Sequence, residues 1–130
     1  MFGMIPPRIS FCSLLILTAL GARPCTLCAE VSPAQTEFFE AKVRPLLVEH
    51  CYKCHGLEKQ QADLRLDELS TILAGGDSGP ALVPGNPAES LLVEAINYDG
   101  LEMPPDGKLS QQKIDILTEW IRQGAPWAGI

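Results

Sequence analysis

At 130 residues the chain has room for one domain and too little length for two ordinary ones. It carries 16 acidic against 10 basic side chains, a net charge of −6, which argues against binding nucleic acid or an anionic membrane surface. Residues 1–29 read as an export signal: Arg8 supplies a weakly positive start, and Ile9 to Leu20 is an apolar stretch of about twelve residues, shorter than a membrane span. Cleavage after Ala29 is preferred to cleavage after Ala22, because Glu30 opens a clearly soluble sequence. Removal of that segment takes Arg8 and Arg23 with it and leaves 16 acids against 8 bases in residues 30–130. The expected location is periplasmic or otherwise extracytoplasmic, without a membrane span after cleavage; an uncleaved N-terminal anchor is the alternative.

In chain order, Ser32-Pro33-Ala34-Gln35 predicts a capped helix start, with Ser32 as cap, Pro33 in the first turn and Gln35 closing a capping box. Phe38, Phe39, Val43, Leu46 and Leu47 follow at roughly helical spacing, and Pro45 predicts a kink or short break. The helix delivers Cys51 and Cys54 to a turn that ends at Gly56. A short helix is expected from Asp67 to Leu73, stopped by Gly75-Gly76. Asp77 to Pro87 holds three prolines and two glycines and reads as an ordered loop. Asn86 can cap a helix over Pro87 to Ile96, and Asp99 to Lys108 forms a second loop around Met103-Pro104-Pro105. Ser110 caps a last helix, Gln111 to Gln123, with Ile114, Leu117, Trp120 and Ile121 facing inward and Gly124 ending it. No strand or internal repeat stands out, so the fold class is all-α.

Cys51-Tyr52-Lys53-Cys54-His55 carries the chemistry. Cys-x-x-Cys-His is the spacing of a c-type haem attachment site: two thiols that can each add to a vinyl group, then an imidazole that can ligate iron. Cys25-Thr26-Leu27-Cys28 repeats the cysteine spacing, but Ala29 stands where the histidine is needed. A second axial ligand must come from elsewhere. Residues 30–130 contain one methionine, Met103, lying 48 residues beyond His55 in a loop stiffened by Pro104 and Pro105; His50 is on the wrong side of the attachment turn. A thioether at Met103 would stabilise ferrous iron. A tetrahedral zinc site is disfavoured because the adjacent donors His50, Cys51, Cys54 and His55 cannot easily converge on one metal. A redox dithiol is disfavoured by the absence of a βαβ context.

The chain resembles class I cytochromes c and, more closely, the planctomycete-type cytochrome c domain. The matching runs are Val43-Arg44-Pro45-Leu46-Leu47 before Cys51 to His55, Leu64-Arg65-Leu66-Asp67, Ser78-Gly79-Pro80-Ala81-Leu82-Val83-Pro84-Gly85, Met103-Pro104-Pro105 with Gly107-Lys108-Leu109, and Trp120-Ile121 with Gly124-Ala125-Pro126-Trp127. They extend from about Phe38 to Trp127. The resemblance implies a small class I cytochrome c-like helical domain wrapped around one haem c, bonded through Cys51 and Cys54 and ligated by His55 and Met103. It implies that the Pro80 carbonyl accepts the other imidazole N–H of His55, that Leu82 packs on the haem, and that Arg65 is a candidate for a propionate. It also suggests contact between the first and last helices, through Phe38 or Phe39 against Trp120. Domains of this type often open very large secreted proteins, so further domains or a separate enzyme are candidate partners.

The resulting expectation is an electron carrier rather than an enzyme, exchanging single electrons with a redox partner whose surface is basic. One alternative is a haem enzyme or gas sensor in which Met103 leaves the iron open; another is a recruitment module for a separate enzyme.

Overall fold

The computed structural model describes residues 30–129. The export segment assigned to residues 1–29, with Cys12, Cys25 and Cys28, lies outside the described residues. Those described are helical, with isolated bridges His55 to Gln60 and Gly76 to Gly79 and no strands.

The N-terminal rod begins with α1 (Pro33–Phe38), widens through one π turn (Phe39–Val43) and continues as α2 (Arg44–His50). Its start is the predicted capping box: Ser32 Oγ accepts from the Gln35 N–H at 3.2 Å, and Gln35 Oε1 accepts from the Ser32 N–H at 3.0 Å. The π turn is the local answer to Pro45. Proline lacks an N–H, and its ring collides with the carbonyl four residues earlier. The wider turn absorbs that misfit, with the Arg44 N–H reaching back to the Phe39 carbonyl. The rod thus stays helical through the predicted kink, and Phe39, Val43, Leu46 and Leu47 all reach the core.

Helices α3 (Leu69–Ala74), α4 (Leu91–Asn97) and α5 (Gln111–Arg122) complete the fold. α5 packs against both the π turn and α4, and its buried face is the expected Ile114, Leu117, Trp120 and Ile121. Ser110 stands at its N-cap position but makes no side-chain capping bond. The helix expected over Pro87–Ile96 is split: a 3₁₀ turn covers Pro87–Glu89, and Ser90 sits extended between it and α4. Ser90 is buried, and its hydroxyl accepts from the Val83 N–H at 3.0 Å while donating to the Asn86 carbonyl at 2.8 Å. These bonds compete with a continuous helix and fold the proline-rich loop onto the start of α4.

The expected contact between first and last helices is made by Phe39, whose ring centroid is 5.9 Å from that of Trp120. Trp127 joins them, 4.6 Å from Phe39 and 6.1 Å from Trp120, a placement not anticipated from the sequence. Each such aromatic pair adds about 1 kcal/mol beyond area burial. Trp120 Nε1 donates to the Pro126 carbonyl at 2.9 Å, and Arg44 Nη2 donates to the Ala128 carbonyl at 2.6 Å, fastening the tail to the rod. The Arg44 guanidinium also lies over the Phe39 ring and is paired bidentately with Glu40, which raises its pKa further.

Candidate haem-attachment site

The attachment turn grows directly out of α2. Cys51 is the C-cap residue, and its N–H and that of Tyr52 both bond the Leu47 carbonyl, at 2.9 and 3.0 Å. The Cys51 carbonyl then accepts from the N–H groups of Cys54 at 3.1 Å and His55 at 2.9 Å, curling the motif into one tight turn. Gly56 is required at its exit: a Cβ there would lie 2.5 Å from the Tyr52 carbonyl oxygen.

The chain beyond is stitched back onto the motif. Gln61 N–H bonds the Cys54 carbonyl at 2.9 Å, and Leu66 N–H bonds the His55 carbonyl at 2.8 Å. The return passes through Ala62 and Asp63, both with left-handed backbone at φ +57° and +54°. The Ala62 carbonyl accepts from the Asp77 N–H at 2.9 Å, which couples this loop to the Gly75–Gly79 turn ahead of Pro80. Gly75 has φ +77°, and a Cβ on it would lie 1.9 Å from the Gly79 carbonyl oxygen, so the turn closes only around glycine.

The side chains suit a covalent haem by their chemistry. Cys51 and Cys54 are free thiols on the same turn, partly buried, and burial pushes the Cys51 thiol up to about 11. His55 is 9% exposed, and its Nδ1 is buried with no hydrogen-bond partner. A ring nitrogen in that position ordinarily donates to an acceptor that orients a ligating imidazole. The bond expected from His55 Nδ1 to the Pro80 carbonyl is therefore not made. Pro80 itself is exposed, because the Ala81 N–H is drawn to the Ile72 carbonyl at 3.1 Å and the Ala81 carbonyl to the Leu92 N–H at 2.7 Å. Leu82 is buried in the core at 1% exposure.

Arg65 differs from the expectation of a free propionate donor. Its Nε and Nη2 each donate to Asp67 at 2.9 Å, which holds the Asp67 carboxyl below its ordinary range. His50 is engaged as well: Lys113 Nζ donates to its Nε2 at 2.7 Å, joining α2 to α5. That bond was missed from the sequence, where the two residues are 63 positions apart. Tyr52, between the cysteines, has a buried hydroxyl without a partner, and burial pushes its pKa up.

Met103 stands on a separate loop and is 38% exposed. Its N–H bonds the Ala95 carbonyl of α4 at 3.1 Å, and the Met103–Pro104 peptide is cis. Among the described residues no hydrogen bond joins this loop to the attachment turn. Two surface cavities lie elsewhere. One of about 460 Å³ is lined by Arg44, Asp67, Glu68, Leu69, Ser70, Trp127 and Gly129. One of about 240 Å³ is lined by Gln60, Asp63, Arg65, Thr71, Ala74 and Gly75.

A helix-terminal turn presenting Cys-x-x-Cys-His is the arrangement of a c-type haem attachment site. The family described as Planctomycete cytochrome C matches the chain over residues 51–107. The matched segment starts at Cys51 and includes His55, Pro80, Leu82 and Met103. No curated protein and no solved structure matches the chain.

Proposed function

We propose that this is an exported, single-haem electron carrier. The observation that carries the reading is the attachment turn: two free thiols and a buried histidine whose Nδ1 lacks a partner, all fixed by backbone bonds within the family's matched segment. The bound haem would supply an iron that cycles between ferric and ferrous. Cys51 and Cys54 would hold the porphyrin, and His55 and Met103 would supply an imidazole and a thioether to its iron. Leu82, 1% exposed within the protein's own core, offers no free surface for the ring. The Arg65 ion pair leaves Nη1 as the guanidinium nitrogen outside the Asp67 bonds, so any propionate contact is secondary to that pair.

The export signal read from residues 1–29 of the sequence would direct the chain to a periplasmic or other extracytoplasmic location, and no described helix is long and apolar enough to cross a membrane. The proposed partner is a redox protein with a basic surface. Glu94, Asp99, Glu102 and Asp106 are all exposed on and beside the Met103 loop, where they favour a positively charged face over a negative one. Membership of a larger secreted assembly fits the same chemistry.

An alternative has one observation in its favour. Met103 is well exposed on a thinly bonded loop, which suits a displaceable ligand and hence a haem that binds peroxide or a diatomic gas. Optical spectra of the protein exported with a haem-attachment system separate the two readings. Electron transfer predicts covalent c-type haem, six-coordinate in both oxidation states, and slow carbon monoxide binding. Rapid carbon monoxide binding by the native ferrous protein would overturn it.

A further inference from the structure

The end of α4 is built in an unusual way. Tyr98 closes the helix with left-handed backbone, φ +62° and ψ +36°, a conformation that glycine or asparagine adopts more readily than an aromatic residue. The cap is a complete Schellman arrangement: Tyr98 N–H bonds the Ala95 carbonyl at 3.1 Å, and Asp99 N–H bonds the Glu94 carbonyl at 3.0 Å. Glycine would serve this cap with less strain, so helix termination does not account for the tyrosine.

The side chain does something further. The Tyr98 hydroxyl donates to the Pro104 carbonyl, six residues on, and Lys108 Nζ lies 5.9 Å from the centre of its ring. The Ala95 carbonyl that receives the Tyr98 amide also receives the Met103 amide. Met103 is therefore held from both sides by the same helix end: its own N–H is pinned to α4, and the carbonyl of the next residue is pinned by the tyrosine. The loop between, Asp99 to Glu102, is exposed and contributes little restraint of its own.

We propose that Tyr98 is a positioning residue that holds the Met103 peptide so that its thioether stays on the haem iron. The proposal rests on the reading of Met103 as distal ligand. The hydroxyl acts on the backbone next to Met103 and not on the sulfur. Its loss should loosen the ligand without touching covalent attachment at Cys51 and Cys54.

The test uses the haem-loaded protein and its Tyr98→Phe variant. Added imidazole competes with the thioether, followed through the weak red charge-transfer absorption of a ferric iron–thioether bond. Loss of one hydrogen bond of ordinary strength should let imidazole displace the thioether at about five- to tenfold lower concentration, with covalent haem and helix content unchanged. Tyr98→Asn is the second variant and serves if the first fails to load haem. Asparagine suits the left-handed cap, so a purely structural role predicts unchanged or tighter ligation, whereas positioning predicts the same loosening. Wild-type titration curves in the variant that folds would overturn the proposal while Met103→Ala, by abolishing the red absorption, upholds Met103 as ligand. Retention of that absorption in Met103→Ala would instead remove the ligand assignment and the role of Tyr98 with it.

Discussion

The attachment turn and the Met103 loop would face one another across a single haem, yet they are held in opposite ways. On the attachment side a run of local backbone bonds ties the segment from Cys51 to Leu66 together, His55 is buried, and Gly56 and Gly75 allow no side chain where they stand. On the other side Met103 rests on an exposed loop hung from the end of α4 by its own amide and the Tyr98 hydroxyl. The lesson is a division of labour. A covalently held group needs a rigid anchor on one face, whereas the opposite face can be tuned through few contacts.

Three experiments bear on that asymmetry. Cys54→Ala should have the largest effect, because it removes one of the two covalent bonds at the rigid face; haem retained after denaturing electrophoresis should fall sharply. Normal loading would show that the turn is not the anchor. Met103→Ala should leave haem attached and lower the reduction potential by on the order of 0.1 V, since thioether sulfur favours ferrous iron. An unchanged potential in protein-film voltammetry would dissolve the comparison from the distal side. Arg65→Ala should have the smallest effect and should be pH-dependent. The Arg65 partner lowers the Asp67 pKa from its ordinary 3.8, so the stabilisation is complete above that value and is lost as pH falls through the lowered one. The variant should be slightly less stable at neutral pH, and the gap should close below about pH 4 in urea titrations. A gap that widens in acid would contradict the pairing.

Much of this molecule is written locally in its sequence. The capping box at Ser32, the inward face of α5 and the Cys51–His55 turn all depend on spacings of a few residues, and they occur where those spacings place them. The Arg65 pairing was also within reach. Arg65 and Asp67 flank Leu66, and alternate residues of an extended segment point the same way. Other features depend on competition or on distance along the chain. Ser90 breaks a helix that its neighbours would favour, because its buried hydroxyl bonds the preceding loop. The His50–Lys113 bond and the Trp127 packing join segments far apart in sequence, and local periodicity carries no trace of them. The acceptor for His55 is the site detail for which the sequence pattern and the structure part company, since Pro80 is drawn away by the bonds of Ala81.

Burial of Cys51 bears on how such a protein is made. Burial pushes the Cys51 thiol up to about 11, which disfavours the thiolate, the reactive form. Once α2 and its turn have packed, the first of the two bonds to the porphyrin becomes the hard one to form. On the proposed reading, covalent loading would be favoured while the chain is still open, before the fold closes around this thiol.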